Sequence, residues 1–363
     1  MANLFSQATK SQLSRILWIT IAWTFISTFH FIITYVGLIE LERDTSDLHP
    51  WIYFKGSLMV GILAGAFGGT FMVLFWEKWL RTRNYGRSLL NILWSYSIIF
   101  LLVAVTASIF VSSAENQIPF YDPVLWRTEI LGIFDLPTLT SYLFWLIVVL
   151  GTLIFLLVND KYGPGVFLDF LLGRYFKPKR EQRIFMFLDL RSSTTIAEKL
   201  GEQRYFNFLK DTFQHATPAI LNSKGEIYQY VGDEMVISWT MDRGVAEANC
   251  INCFFDIKEA LRKKENYYRA LYDNIVPEFK AGLHYGFVMA GELGVVKREI
   301  AFSGDVLNTT ARIQEKCNEL KVNILLSSDL IERLSGQLHQ FSTRKIGEMI
   351  LRGKQQEIAL YTV

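Results

Sequence analysis

The sequence predicts a two-part chain: an α-helical bundle of four transmembrane spans, then an α+β domain built on a βαββαβ core. Three observations carry that prediction. Four apolar stretches in the first part are each long enough to cross a hydrocarbon layer of about 30 Å, which takes about 20 helical residues. From Arg183 onward, short apolar runs alternate with stretches of helical periodicity. Two of those runs end in a carboxylate, Asp189 in FLDLRSST and Asp233 in YQYVGDEMVISW.

Composition narrows the classes. The chain has 363 residues, room for two or three domains, and is 51% hydrophobic, with the excess concentrated in residues 1–158. A net charge of +2 gives no global attraction for a polyanion, so no nucleic-acid partner is expected. Three cysteines make no disulfide framework. Cys250 and Cys253 form a CxxC inside AEANCINCFFDIKEAL, and without a second Cys/His pair they read as a packed helix face rather than a zinc site. The first apolar stretch is too long, and wrongly flanked, for a cleavable signal.

The spans run near Ile16–Leu38, Ser57–Trp76, Leu89–Val111 and Thr140–Val158, with Trp18, Trp51, Trp79 and Tyr142 toward their ends as interfacial aromatics. Lys10 and Arg15 precede the first span, and Lys78, Arg81, Arg83 and Arg87 fill the second connection. Lys161, Arg174, Lys177, Lys179 and Arg180 follow the fourth. The first and third connections hold Glu40, Glu42, Asp44, Asp47 and Glu115, Asp122, Glu129, Asp135 instead. The positive-inside rule therefore places both termini in the cytoplasm, in a multi-pass protein of the cell (inner) membrane with the lipid bilayer as a partner. The second span reads GILAGAFGG, with Gly61, Gly65 and Gly69 on one helix face, a close-packing surface either within one bundle or between two copies. His30, the one intramembrane histidine, reads as a hydrogen-bonded core residue, since the spans offer no second axial histidine for a haem. The third connection, with Pro119, Pro123 and Pro137, is either an external ligand site or a plain connector.

Residues 159–182 read as a cytoplasmic linker: Gly163, Pro164 and Gly165 break the last span, and VFLDFLLGRY follows as one amphipathic or coiled element. Residues 183–363 form the second domain. RIFMFLDL fits a buried strand, and TTIAEKLGEQRYFNFLKDTFQHATPAIL a helical stretch. EIYQYVGDEMVISW reads as two strands turning at Gly232-Asp233. A long helix, the strand-like FKAGLHYGFVMAGELG and KREIAFSGD, the helical DVLNTTARIQEKCNEL and the last strands complete the order. That order predicts a sheet with helices on one face and brings the first strand beside the following hairpin, so Asp189 meets Asp233.

Two strand-borne carboxylates side by side are the minimum equipment for two divalent cations at about 3.5–4 Å, which clamp the attacking and leaving oxygens of phosphoryl transfer. SGDVLNTTARIQ adds an amide and a guanidinium spaced four apart, Asn308 and Arg312. Carboxylates for metal, with a cation for developing phosphate charge, imply nucleotide chemistry.

Five segments in order, FLDL, the GDE hairpin, GLHYGFVMAGELG, SGDVLNTTAR and LRGK, make residues 183–363 resemble the class III nucleotidyl cyclase catalytic domain, in a membrane-anchored bacterial arrangement. The resemblance implies that Asp189, Asp233 and the backbone carbonyl of Leu190 hold two Mg²⁺ or Mn²⁺ ions. It implies that the ribose 3′-oxygen attacks the α-phosphate and expels pyrophosphate. Asn308 matches the amide that orients the ribose, and Arg312, one turn on, the arginine that stabilises the transition state. Arg352 falls where the family has a triphosphate-binding lysine, and the loop from Arg191 through Ser192, Ser193 and Thr194 would offer backbone N–H groups to phosphate.

Two positions depart from the family. Its base-reading pair is usually Lys with Asp or Thr in adenylyl cyclases, and Glu with Cys in guanylyl cyclases; here the pair is Gln229 and Ala301. Gln229 can pair with an adenine edge or, rotated, with guanine or a pyrimidine, whereas Ala301 offers no side-chain hydrogen bond. The loop reads RSST where many members have Gly-Phe-Thr. The expected activity is that of an adenylate cyclase making 3′,5′-cyclic AMP from ATP. The alternatives are a cyclase of GTP or a pyrimidine nucleotide, and a catalytically silent cyclase-like receptor. YVGDEM also resembles the GGDEF signature of diguanylate cyclases, but Val231 and Met235 replace its glycine and phenylalanine, and SGDVLNTTAR has no counterpart there. Family sites form between two domains, so a chain with one such domain is expected to work as a head-to-tail homodimer.

Overall fold

The computed structural model describes residues 7–40, 49–82, 84–132, 135–162, 172–296, 298–351 and 357–363. The chain divides into two compact units, Met1–Lys161 and Tyr162–Val363. The expected amphipathic element after Gly163 lies largely outside the described residues, as does Arg352.

In the first unit, α1 spans Gln7–Glu40 and α2 spans Pro50–Phe71. The latter runs through a π-helical turn, Met72–Trp76, into α3 (Glu77–Thr82). Then follow α4 (Tyr85–Asn116), α5 (Pro123–Gly132) and α6 (Leu136–Tyr162). Four of these segments, Gln12–Glu40, Pro50–Leu80, Gly86–Asn116 and Leu136–Asn159, are long and apolar enough to cross a membrane. Each overruns the length expected from hydropathy, because helical hydrogen bonding continues into the polar flanks. The third connection contains a helix: Asp122 accepts from the Val124 N–H at 2.7 Å and Pro123 occupies the first turn, a cap that starts α5.

The glycine stripe packs within the chain. A Cβ on Gly61 would lie 2.4 Å from Thr24 Cα, and one on Gly65 would lie 2.5 Å from Thr20 Cα, so α1 and α2 touch backbone to backbone. Buried Trp23, Met72, Trp76, Tyr96 and Trp145 fill the bundle centre. Polar side chains cross-link it: Trp23 Nε1 donates to Thr152 Oγ1 at 3.0 Å, Ser27 Oγ to the Ser57 carbonyl at 2.8 Å, and Trp76 Nε1 to Ser95 Oγ at 2.8 Å. Arg15 pairs with the buried Glu77.

The second unit is a mixed sheet of eight strands ordered β2-β3-β1-β4-β6-β8-β7, with β5 paired to β4. Strand β1 covers Lys179–Leu190 and leads to helices α7 (Ser193–Leu200) and α8 (Glu202–Asn222). Strands β2 (Glu226–Val231) and β3 (Glu234–Thr240) form the hairpin, and α9 (Asn249–Arg262) and α10 (Glu265–Leu271) follow. Then come β4 (Phe279–Leu293), β5 (Glu299–Ser303), α11 (Asp305–Glu319), β6 (Ile324–Ser327), α12 (Ser328–Leu334), β7 (Arg344–Ile350) and β8 (Glu357–Thr362). Strand β1 begins inside the stretch read as linker, because the polar KREQ pairs with β4 residues 287–290.

Alternation along β1 separates two faces. Ile184, Met186, Leu188 and Leu190 enter the main core with Phe208, Ile220, Phe254 and Ile257 of α8 and α9. Phe185 and Phe187 face the other way, toward Val306 of α11. Helices therefore cover both faces, not one as expected. The reason lies in β4: Gly282 and Gly286 leave a flat strip, and α11 docks on it, with Gln314 N 2.4 Å and Val306 Cβ 3.1 Å from where their Cβ atoms would be. Cys250 and Cys253 are fully buried in the α9 face of the core, and burial pushes both thiols up to about 12.

Gly65→Leu in the full chain forces α1 and α2 apart and should cost about 1–3 kcal/mol of stability. Detergent unfolding measures this, with Gly37→Leu as control, since nothing lies within 4 Å of a Cβ there. Equal stability of the two variants would count against the α1–α2 packing.

Candidate active site

Asp189 is the penultimate residue of β1, on the α11 face. Register places Glu234 of β3 directly opposite it on one side and Lys280 of β4 on the other. Three charged residues thus form one rung across three adjacent strands. Asp233 immediately precedes Glu234 in the β2–β3 turn, which Val231 and Glu234 close as a pair. Gly232, at φ +63°, supplies the left-handed backbone this two-residue turn needs.

One oxygen of Asp189 is already engaged. Lys280 Nζ lies 2.9 Å from Asp189 Oδ2, and Gln314 Nε2 donates to the same oxygen at 3.0 Å. Burial, reinforced by the charge of Asp233, raises the Asp189 carboxyl above its usual range, against the pull of Lys280 and Gln314. Burial and the charges of Asp189 and Asp233 push Glu234 up to about 7. Tyr205, hydrogen-bonded to Ser193, is raised by burial and by the same two aspartates, so its phenol borders the site. The arrangement is a cluster of carboxylates with one ammonium, negative in sum and half-buried.

The strand-to-helix loop is held from behind. Arg191 donates its N–H to the Glu278 carbonyl at 2.8 Å, and its guanidinium to the Val322 carbonyl at 2.6 Å and Asn323 Oδ1 at 2.7 Å. Its backbone N–H is therefore spent, which leaves Ser192, Ser193 and Thr194 of the expected phosphate loop. Ser192 sits at φ +55° ahead of α7 and is exposed, Ser193 is half-buried and Thr194 exposed. Leu190 is buried at the end of β1.

Asn308 and Arg312 lie one turn apart on α11, Asn308 exposed, Arg312 paired with Glu315 at 3.0 Å. Gln314, on the same helix, is the residue that reaches Asp189. At about 100° per residue, Arg312 lies some 200° around the helix from Gln314. No hydrogen bond or ion pair among the described residues joins Asn308 or Arg312 to Asp189 or Asp233. Gln229 is exposed beside a bulge in β2, and half-buried Ala301 pairs with Gly291 through β5. Tyr228 and Phe302, their neighbours, do meet: the Phe302 N–H donates to the Tyr228 hydroxyl at 3.2 Å. Lys280, Glu234, Gln314 and Tyr205 were missed by sequence reasoning. Lys280 had a readable signal, being the one charged residue in the buried first half of β4, whereas Gln314 is one polar residue among many on α11.

Among the described residues, no group of three or more His, Cys, Asp and Glu is close enough to form a metal cage. Two carboxylates on adjacent strands are nevertheless the donor set that suits Mg²⁺ or Mn²⁺, hard cations bound through one or two carboxylates with water and substrate phosphate completing the shell. The raised carboxyls of Asp189 and Glu234 mark a site whose charge a cation would relieve.

Lys280→Met leaves the half-buried Asp189 carboxylate without its ammonium. The expected loss is about 2 kcal/mol, below the roughly 3–5 of a fully buried pair, because that carboxylate retains some exposure. Chelator-treated residues 172–363, unfolded in urea, report it through Trp239, the single tryptophan of that segment. The Asp189 carboxyl is already raised in the folded state, so the deficit should be full above its folded pKa and shrink as pH falls through it. A deficit independent of pH would mean that the lost interaction is packing.

Residues 177–363 match the family described as the adenylate and guanylate cyclase catalytic domain. Adenylate cyclase 2 of Rhizobium meliloti is 39% identical over 214 residues, covering 59% of this chain and 58% of that protein. The adenylate cyclase of Anabaena cylindrica is 27% identical over 184 residues, covering 49% of this chain and 36% of that protein. The chain thus spans less than two thirds of the length of either. A solved bacterial light-regulated adenylyl cyclase superposes with a TM-score of 0.51 at 20% identity, covering 63% of this chain and 66% of that one, a likeness of fold. The sequence match takes in the rung, the hairpin turn and α11 together: the chain belongs to the adenylate and guanylate cyclase catalytic-domain family.

Proposed function

We propose that the chain is a membrane-anchored adenylate cyclase that converts ATP to 3′,5′-cyclic AMP and pyrophosphate as a homodimer. The observation that carries this reading is the placement of Asp189 and Asp233 at adjacent strand ends, with Asn308 and Arg312 turned to another face of α11. A single chain then holds two half-sites, and a second copy is what would unite them. The named relatives, two adenylate cyclases, support ATP as substrate.

In this reading Asp189, Asp233 and the Leu190 carbonyl hold two Mg²⁺ or Mn²⁺ ions. Those ions, when bound, polarise the α-phosphate and lower the cost of a 3′-alkoxide. Lys280 keeps Asp189 in place and offers its ammonium to phosphate oxygens arriving at the rung. The N–H groups at Ser192–Thr194, where α7 begins, cradle the same phosphates. Asn308 of the second chain orients the ribose, and Arg312, released from Glu315, meets the charge that develops on the transferred phosphate. Gln229 reads the base edge through its amide, beside an Ala301 that contributes shape alone. Arg352 is assigned to the triphosphate on its motif. Residues 1–158 serve as anchor with both termini cytoplasmic, residues 159–182 as linker, and 183–363 as the catalytic part with β1 reaching back into that linker.

Purified full-length protein with Mn²⁺ should release cyclic AMP and pyrophosphate from ATP. Cyclisation of GTP, CTP or UTP at least tenfold faster than of ATP would overturn the adenylyl assignment, and no product from any of the four would favour the silent receptor.

Asp189→Ala and Arg312→Ala should each abolish turnover alone. Co-expressed, they should regain activity from one intact site per heterodimer. Isolated heterodimers that stay inactive would argue against a shared site.

A further inference from the structure

The helical bundle of the first unit carries a half-open cavity of about 380 Å³, within the size range of small-molecule sites. Its walls are aromatic, with Trp23, Phe31, Trp76 and Trp145 among them, and no Asp, Glu, Lys or Arg is among its described lining residues. Most polar groups on those walls are satisfied, as the bonds from Trp23, Ser27 and Trp76 above attest. Three are not: no hydrogen bond joins the His30 imidazole, the Ser141 hydroxyl or the Trp145 indole N–H to any described group, and His30 is exposed rather than the hydrogen-bonded core residue expected. The His30 ring lies 4.2 Å from that of Phe144, and Phe144 is three residues from Ser141 on α6, so His30 and Ser141 share one side of the cavity.

A second feature points to the same place. The only π-helical turn among the described residues, Met72–Trp76, interrupts α2 where it forms the wall. Such turns forfeit regular hydrogen bonding and concentrate at functional sites. This one sets the fully buried Trp76 against the cavity and Glu77 against Arg15. Polar groups left unpaired at hydrocarbon depth are costly and find partners.

We propose that this cavity binds a neutral, lipid-soluble ring compound bearing a carbonyl acceptor, the chemistry of a substituted benzoquinone. The His30 N–H and Ser141 O–H donate to carbonyl oxygens, and the indole and phenyl walls stack on the ring. An uncharged lining matches an uncharged ligand. The site is separate from the proposed nucleotide chemistry and stands or falls by binding alone.

The test is a titration of the full chain in lipid nanodiscs with a decyl-substituted benzoquinone, read by quenching of tryptophan fluorescence. Saturable quenching is expected. His30→Phe should weaken it by up to about tenfold, the worth of one strong hydrogen bond, while His30→Gln retains most of the affinity. Ala104→Phe, which fills the cavity, should remove the saturable phase, with circular dichroism confirming that the helices persist. If Ala104→Phe fails to fold, the His30→Phe and His30→Gln pair decides alone. Quenching that rises linearly and identically in all variants would reduce the effect to partition into the bilayer and overturn the proposal. Competition by decanol as strong as by the quinone would overturn ring recognition.

Discussion

Helix α11 approaches β4 so closely that a side chain at Gly282 would collide with the backbone of Gln314, 2.4 Å away. The geometry of the second unit depends on that contact. Because β4 offers glycine at two alternate positions, the helix lies against the sheet rather than above it, and the Gln314 amide reaches the Asp189 carboxylate. The same docking aims Asn308 and Arg312 elsewhere, since at about 100° per residue they lie roughly 240° and 200° around the helix from Gln314. One packing contact therefore assigns α11 two roles: it braces the carboxylates of its own chain and presents an amide and a guanidinium outward.

The rung across β3, β1 and β4 concentrates charge that the sheet cannot neutralise. Among the described residues, Lys280 is the one ammonium paired with Asp189, while Asp233 and Glu234 stand alongside. Strands hold Asp189, Glu234 and Lys280, and a tight two-residue turn holds Asp233, so the carboxylates cannot relax apart. Their repulsion appears in the raised carboxyls of Asp189 and Glu234, with burial as the larger cause. Closing the site with cations would relieve that strain, which is why a half-buried anionic rung suits hard divalent ions better than a preformed cage does.

The first unit is built by different means. Its helices are long and apolar enough to cross a membrane, and glycine-mediated backbone contact with interhelical hydrogen bonds holds them together. Gly61 and Gly65 against α1, and the indole N–H groups of Trp23 and Trp76, supply both. An anchored pair of chains would also confine two catalytic parts to a small volume, which raises the effective concentration of half-sites without any new contact.

Much of this was legible from residues in order. Apolar length announced four helices long enough to cross a membrane, and short apolar runs ending in Asp189 and Asp233 announced adjacent strands, because both signals are local. Asn308 and Arg312 were legible through their spacing of one turn. What escaped was set by contacts between distant segments. Lys280 meets Asp189 only because the long β1–β4 pairing has one particular register, and a slip of one residue would turn it to the other face. Glu234 looked like a hairpin residue until the β1–β3 register set it opposite Asp189. The sequence by itself determined which elements form and which carboxylates end them; the tertiary structure decided which face α11 covers and which charges share a rung. The physical reason is that hydrogen-bond periodicity is written every two or four residues, whereas register and docking are settled by steric fit across the whole sheet, at glycines whose missing side chains have no pattern of their own.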